Sequence, residues 1–93
     1  MNILWSPESL QDLKTLIRFI NEHHGDASVI SKYIFESVLL LSRTPHIGRP
    51  GRVAGTRELI ITDTAYIIPY RVKGDNLQIL RVYHSSRRWP ESF

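Results

Sequence analysis

Seven charged side chains in the second half of this 93-residue chain are of types that could act on a phosphate. They are Arg57, Glu58, Arg71, Arg81, His84, Arg87 and Arg88, and Tyr66, Tyr70, Tyr83 and Trp89 place aromatic rings among them. Cleavage of RNA by its own 2′-hydroxyl needs a base, an acid for the leaving oxygen and cations around the phosphate. On paper, His84, Glu58, Arg57 and Arg81 supply those roles. His84 also reads as an ordinary strand-end histidine. Arg81 lies between Leu80 and Val82, where an unpaired charge is unfavourable unless it meets an acid or an open face. Structural pairing and ligand binding are both open to it. Arg87, Arg88 and Trp89 can stack on bases and contact phosphates, or anchor a protein interface, where Arg and Trp are enriched.

The charge is unevenly spread. Nine of the twelve Lys and Arg residues lie from Arg43 onward, against four of the nine acids, so that half carries a formal +5 and residues 1–42 carry −2. Nine of the twelve are arginine, whose planar fork suits phosphates and carboxylates and stacks on aromatic faces. Nucleic acid or an acidic protein segment would fit such a surface; a solvated sheet face is the plain alternative.

Other chemistries are disfavoured. Cysteine is absent, which excludes disulfides and thiolate catalysis. His23 and His24 are neighbours on a helix, pointing about 100° apart, with no third ligand at a metal-site spacing. Gly48–Gly55 lacks the lysine–hydroxyl pair and the strand–helix setting of a phosphate-cradling loop. Neither a metal nor a cofactor is therefore expected. No apolar run reaches the roughly 18 residues of a membrane span, and MNILWSPES lacks the basic, then apolar, plan of a secretory signal. A cytoplasmic location without membrane attachment is the expectation.

The elements that must position these residues form one domain over 1–93. Asn2–Trp5 reads as a short strand. Ser6-Pro7 starts a helix, with serine capping free N–H groups and proline at the first helical position. Leu10, Leu13, Ile17 and Ile20 recur at helical spacing, widened by Leu16, and Gly25 follows as a C-cap. A second helix, capped by Asp26 or Ser28, presents Ala27, Ile30, Ile34, Val38 and Leu41, and ends near Ser42–Thr44 before Pro45. Phe35 and Leu39–Leu40 give it excess apolar surface. Pro45–Gly55 is a loop. Glu58–Thr62, Tyr66–Val72 and Leu77–His84 then read as an antiparallel meander, with Pro69 predicting an edge position or a bulge. The fold class is α+β: an N-terminal helical hairpin against a small sheet.

The W-SPES-L-DL pattern over Trp5–Leu13, with IGRPGRVAGTREL, YIIPYRV and ILRVYHSSRRWP after it, resembles the RelE/ParE superfamily of bacterial type II toxins. The Gly-Arg-Pro loop, the YRV strand and the ILRVxHxxRxWP ending look most like its ParE-like branch. The resemblance covers almost the whole chain. It implies a helical hairpin packed on a small curved antiparallel β-sheet. It also implies a cognate antitoxin that wraps the toxin, with operator DNA bound only through that antitoxin. ParE-like members poison DNA gyrase without a hydrolytic centre; RelE-like members cleave mRNA on the ribosome.

In the residue match, Arg81 is the sheet-borne arginine and Tyr83-His84 follow it. Arg49, Arg52 and Arg57 stand where the RelE-like branch carries lysines. Glu58 falls in a strand rather than in the preceding loop, and Tyr66 stands where a phosphate-contacting arginine is wanted. These departures favour a gyrase inhibitor with no catalytic residues. The alternatives are a ribosome-dependent endoribonuclease using Arg57, Glu58, Arg81 and His84, and a non-catalytic regulatory binding module. On the favoured reading, Arg49, Arg52, Arg57, Arg71, Arg81, Tyr83, His84, Arg87, Arg88 and Trp89 contact the target or the antitoxin.

Overall fold

The computed structural model describes every residue, Met1–Phe93. Its elements are β1 (Asn2–Trp5), α1 (Pro7–His23), α2 (Ser28–Arg43), β2 (Arg49–Pro50), β3 (Arg57–Ile60), β4 (Tyr66–Lys73), β5 (Asn76–Ile79) and β6 (Tyr83–His84). The sheet order is β1-β5-β4-β3-β2, with β6 beside the first residues of β4. No helix is long and apolar enough to cross a membrane.

Ser6 caps α1 as expected, its hydroxyl accepting from the Ser9 N–H at 2.9 Å with Pro7 at the first turn. Gly25, at φ 94°, takes the left-handed position just past the helix end that glycine alone occupies without strain. α2 begins differently from the expectation. Its cap is Ala27, without a side-chain bond. Asp26 instead accepts from the Ser28 N–H, and Asn21 from the Ala27 N–H. Two polar side chains thus tie the interhelical turn that one cap was expected to close.

The helices cover one face of the sheet. Leu13, Leu16, Ile34, Val38 and Leu41 pack against Ile61, Ile68, Tyr70, Leu77, Ile79 and Val82. The inward residues of the strands alternate, as the period of two requires. Leu10 is exposed rather than part of this core, and Leu16 is buried in it.

Two features of the sheet depart from a simple meander. β1 pairs with β5 in parallel, Ile3 opposite Leu77, so the sheet is mixed. The expected last strand, Leu77–His84, is two strands: β5 pairs with the end of β4 and β6 with its beginning, while Leu80–Val82 leave the ladder. Pro69 accounts for the place of this break. It lies in β4, an internal strand rather than an edge. Its carbonyl accepts from the Leu80 N–H at 3.0 Å, so its missing donor faces the same residues. The regular ladder ends where one of its bonds cannot be made.

Candidate functional site

The break is held from α1. Ser6 Oγ donates to the Leu80 carbonyl at 2.7 Å. Asp12 accepts from Arg81 Nε at 2.7 Å, from Arg81 Nη2 at 2.8 Å and from the Val82 N–H at 3.0 Å. The pair is largely buried, with side-chain exposures of 21% for Arg81 and 11% for Asp12. The Asp12 hydrogen bonds push the Arg81 pKa further up, against the opposing effect of burial. Thus Ser6 and Asp12 of the W-SPES-L-DL pattern supply the polar partners that Leu80–Val82 lose by leaving the sheet. Arg81, open between two roles in the sequence, has its guanidinium committed to an acid.

A second lock shapes the loop before β3. The Glu58 side chain is 0% exposed and pairs with Arg49 Nη2 at 2.8 Å. It also accepts from Arg49 Nε at 3.0 Å and the Arg52 N–H at 2.8 Å. Arg57 Nη1 donates to the Gly48 and His46 carbonyls. Buried Tyr70 donates to the Pro45 carbonyl at 2.7 Å and accepts from the Gly48 N–H at 3.0 Å. Burial raises the Tyr70 pKa, opposed in part by the Gly48 N–H and by the Arg57 charge. Arg49, Arg57 and Glu58 therefore fix the Gly-Arg-Pro loop.

The loop reaches the chain's last segment through Arg52, whose guanidinium lies 4.2 Å from the centre of the Trp89 ring. Trp89 stands edge-on to Tyr83 at 5.2 Å, and Phe93 packs on both rings. Arg81 and Arg87 each lie 4.6 Å from the Tyr83 ring centre, within range of a cation–π attraction. Tyr83 is the buried hub of this array. The Trp89 N–H is buried without an acceptor. Beside the array opens a cleft of about 610 Å³, to which Arg71, Arg81, Arg87 and Arg88 contribute. Arg71, Arg87 and Arg88 are exposed and enter no ion pair.

His84 belongs elsewhere. It stacks edge-on against Tyr66 at 5.6 Å and lines a separate cleft with Phe19, Val29 and Tyr33. Its Nδ1 accepts from the Ser86 N–H at 3.1 Å, so a neutral ring carries its proton on Nε2. Its one close side-chain polar partner is a serine hydroxyl.

The structure thus brings Arg52, Arg71, Arg81, Tyr83, Arg87, Arg88 and Trp89 to one surface, and sets Arg49, Arg57 and Glu58 into the loop beneath. His84 stands apart with Tyr66. Ser6 and Asp12 are the residues that reading for chemistry passed over. Their signal was their place in the W-SPES-L-DL pattern, since nothing local marks a partner about seventy positions away.

Comparison with known proteins identifies the family. The family model described as "ParE toxin of type II toxin-antitoxin system, parDE" matches residues 3–89. This chain belongs to the ParE toxin family. The toxin candidate Y4kP of Sinorhizobium fredii is 38% identical over 90 residues, covering 96% of this chain and 93% of Y4kP. A solved chain of the chromosomal ParDE system of P. aeruginosa superposes with a TM-score of 0.79 at 28% identity, covering 90% of this chain and 95% of that one. A YoeB/ParE toxin from Agrobacterium tumefaciens shares the fold at a TM-score of 0.64 and 22% identity, covering 90% and 98%. The ParE-family chain is thereby a toxin of a type II toxin–antitoxin system, with the α+β architecture of the RelE/ParE superfamily.

Proposed function

We propose that this ParE-family toxin arrests growth by inhibiting DNA gyrase without hydrolytic chemistry of its own, and that a cognate antitoxin neutralises it. The observation that carries the reading is the capture of the charged groups that cleavage would require. Glu58 is sealed under Arg49 and the Arg52 backbone, and Arg81 is held by Asp12. His84 is left without a carboxylate partner, on a different surface from the arginine–aromatic array. A phosphoryl-transfer site needs its base, acid and cations around one reacting atom.

The array itself suits binding. Arg and Trp side chains that stack on one another present a broad, stiff surface of the kind that anchors interfaces. An antitoxin partner is supported by the family and by the ParDE system to which this chain is similar. Operator DNA would be reached through that antitoxin, and the toxin would act in the cytoplasm.

The test is to induce the toxin alone and compare plasmid supercoiling with RNA ends. In vitro, the purified protein should block supercoiling by gyrase or trap cleaved DNA. Intact supercoiling at excess toxin would sink the proposal. Cuts at codon positions within translated messages, lost on His84→Ala, would establish the ribosome-dependent endonuclease instead. Unaffected growth without the antitoxin would favour a regulatory binding module.

A further inference from the structure

We propose that the cleft beside the Tyr83–Trp89–Phe93 array binds a short single-stranded segment of DNA. Its phosphates would lie on Arg71, Arg87 and Arg88, and a base against Trp89 or Phe93. The inference rests on the gyrase reading, because a topoisomerase is a target that presents DNA, and it adds the ligand that the toxin would touch there.

Charge is the first argument. Four arginines line the cleft, against Glu8 as the one acid among the lining residues. Asp12 neutralises one of the four, Arg81. Arg71 gives its Nε to Gln78 Oε1 at 2.7 Å, leaving the outer edge of its guanidinium available. Arg87 Cζ lies 4.6 Å from the Tyr83 ring centre, and its N–H groups enter no ion pair. Three forks with available donors around one opening suit a chain of phosphates, each able to receive two parallel hydrogen bonds.

Shape and lining are the second argument. A cleft of about 610 Å³ is the size of a small-ligand site. It admits one or two nucleotides and is too small for a duplex. An acidic peptide would also satisfy the guanidinium groups. The aromatic walls favour the nucleic acid, because every base offers a flat face for stacking and carboxylate side chains offer none. Phe93 is exposed at this opening.

The test is fluorescence anisotropy of a labelled hexathymidylate titrated with the toxin at several salt concentrations. Each phosphate neutralised on a single strand contributes about −0.7 to the slope of log K against log salt. Arg88→Ala and Arg71→Ala should each flatten that slope by about 0.7 and weaken binding by about fivefold. Arg18→Ala, an equal loss of charge on exposed α1 surface, should change neither. Absence of binding, or equal weakening by Arg18→Ala, would overturn the site. Tighter binding of a hexauridylate or a hexaglutamate peptide would overturn the ligand. Supercoiling is assayed on the same preparations. Inhibited gyrase with no hexathymidylate binding removes this inference and leaves the proposed function. Hexathymidylate binding with gyrase untouched removes the function and leaves the site.

Discussion

Replacing Asp12 by alanine should be among the most damaging single changes outside the apolar core. The substitution leaves the Arg81 guanidinium, 21% exposed in its side chain, without its counter-charge. It also leaves the Val82 N–H without the acceptor it has at 3.0 Å. Breaking one partner of a fully buried pair destabilises by about 3–5 kcal/mol. Arg81 is one-fifth exposed and borders the open cleft, so part of its solvation is recoverable and the expected loss is about 2–3 kcal/mol. At a urea slope of about 1 kcal/mol per molar for a chain of this size, the unfolding midpoint should fall by about 2–3 M.

Asp12→Asn keeps an acceptor for Val82 but not the charge, and should lose about half as much. Arg81→Met in the Asp12→Ala background should recover part of the loss, because the stranded charge is then gone. The comparison is Glu36→Ala. It removes the Lys32–Glu36 pair, exposed at 78% and 62%, where about 0–0.5 kcal/mol is expected. Urea melts followed by circular dichroism would show all four. A midpoint for Asp12→Ala no lower than that for Glu36→Ala would refute the claim that the pair holds the strand break together.

Three further outcomes are expected. Gly48→Ala would place a methyl 2.5 Å from Tyr70 Oη and 2.9 Å from the Glu58 carbonyl oxygen. Tyr70 is buried and doubly hydrogen-bonded, so the midpoint should drop by the equivalent of about 1–3 kcal/mol. Burial raises the pKa of Tyr66 and Tyr70 above 10.0. The folded state then keeps protons that the unfolded chain releases, so stability is full below about pH 10 and falls as pH rises through that value. Urea midpoints on either side of that pH, with Tyr66→Phe showing a smaller fall, check the sign. Finally, His84→Ala should leave growth arrest and gyrase inhibition within about twofold of the parent, since its contacts are to Tyr66 and Ser86 away from the array.

Much of the scaffold was legible because its signals are local. Ser6-Pro7 and Gly25 bracket α1 within one turn of the residues they govern, and the apolar periods of α2 and β4 need no distant information. The broken last strand was not legible for a physical reason. Leu77–His84 reads as one run with both faces partly apolar, and what ends the ladder at Leu80 is a proline on the neighbouring strand, the cap residue Ser6 and Asp12 of α1. Pro69 did announce an irregularity, but in a sheet a missing donor disturbs the strand it faces as well as its own. The same distance hid the state of Arg81, whose partner Asp12 lies 69 positions away. Sequence identifies Glu58 and Arg81 as charges within apolar strands; packing supplies the partners Arg49 and Asp12. The tail was legible as arginine beside tryptophan, but the role of Tyr83 as their shared partner depended on how the tail packs back on it.

The clamp on Leu80–Val82 also bears on when the molecule can acquire its surface. Ser6 and Asp12 meet partners 74 and 69 positions later, and β1 finds its place only beside β5. Contacts so remote in sequence require closure of long chain segments before they return any stability. During synthesis, the opening residues must wait, unpaired along that edge, until the strands near the other end have left the ribosome. The arginine–aromatic array lies beyond the same point in the chain. Neither the finished sheet nor the charged face can therefore form before β5 and the segment after it have been made.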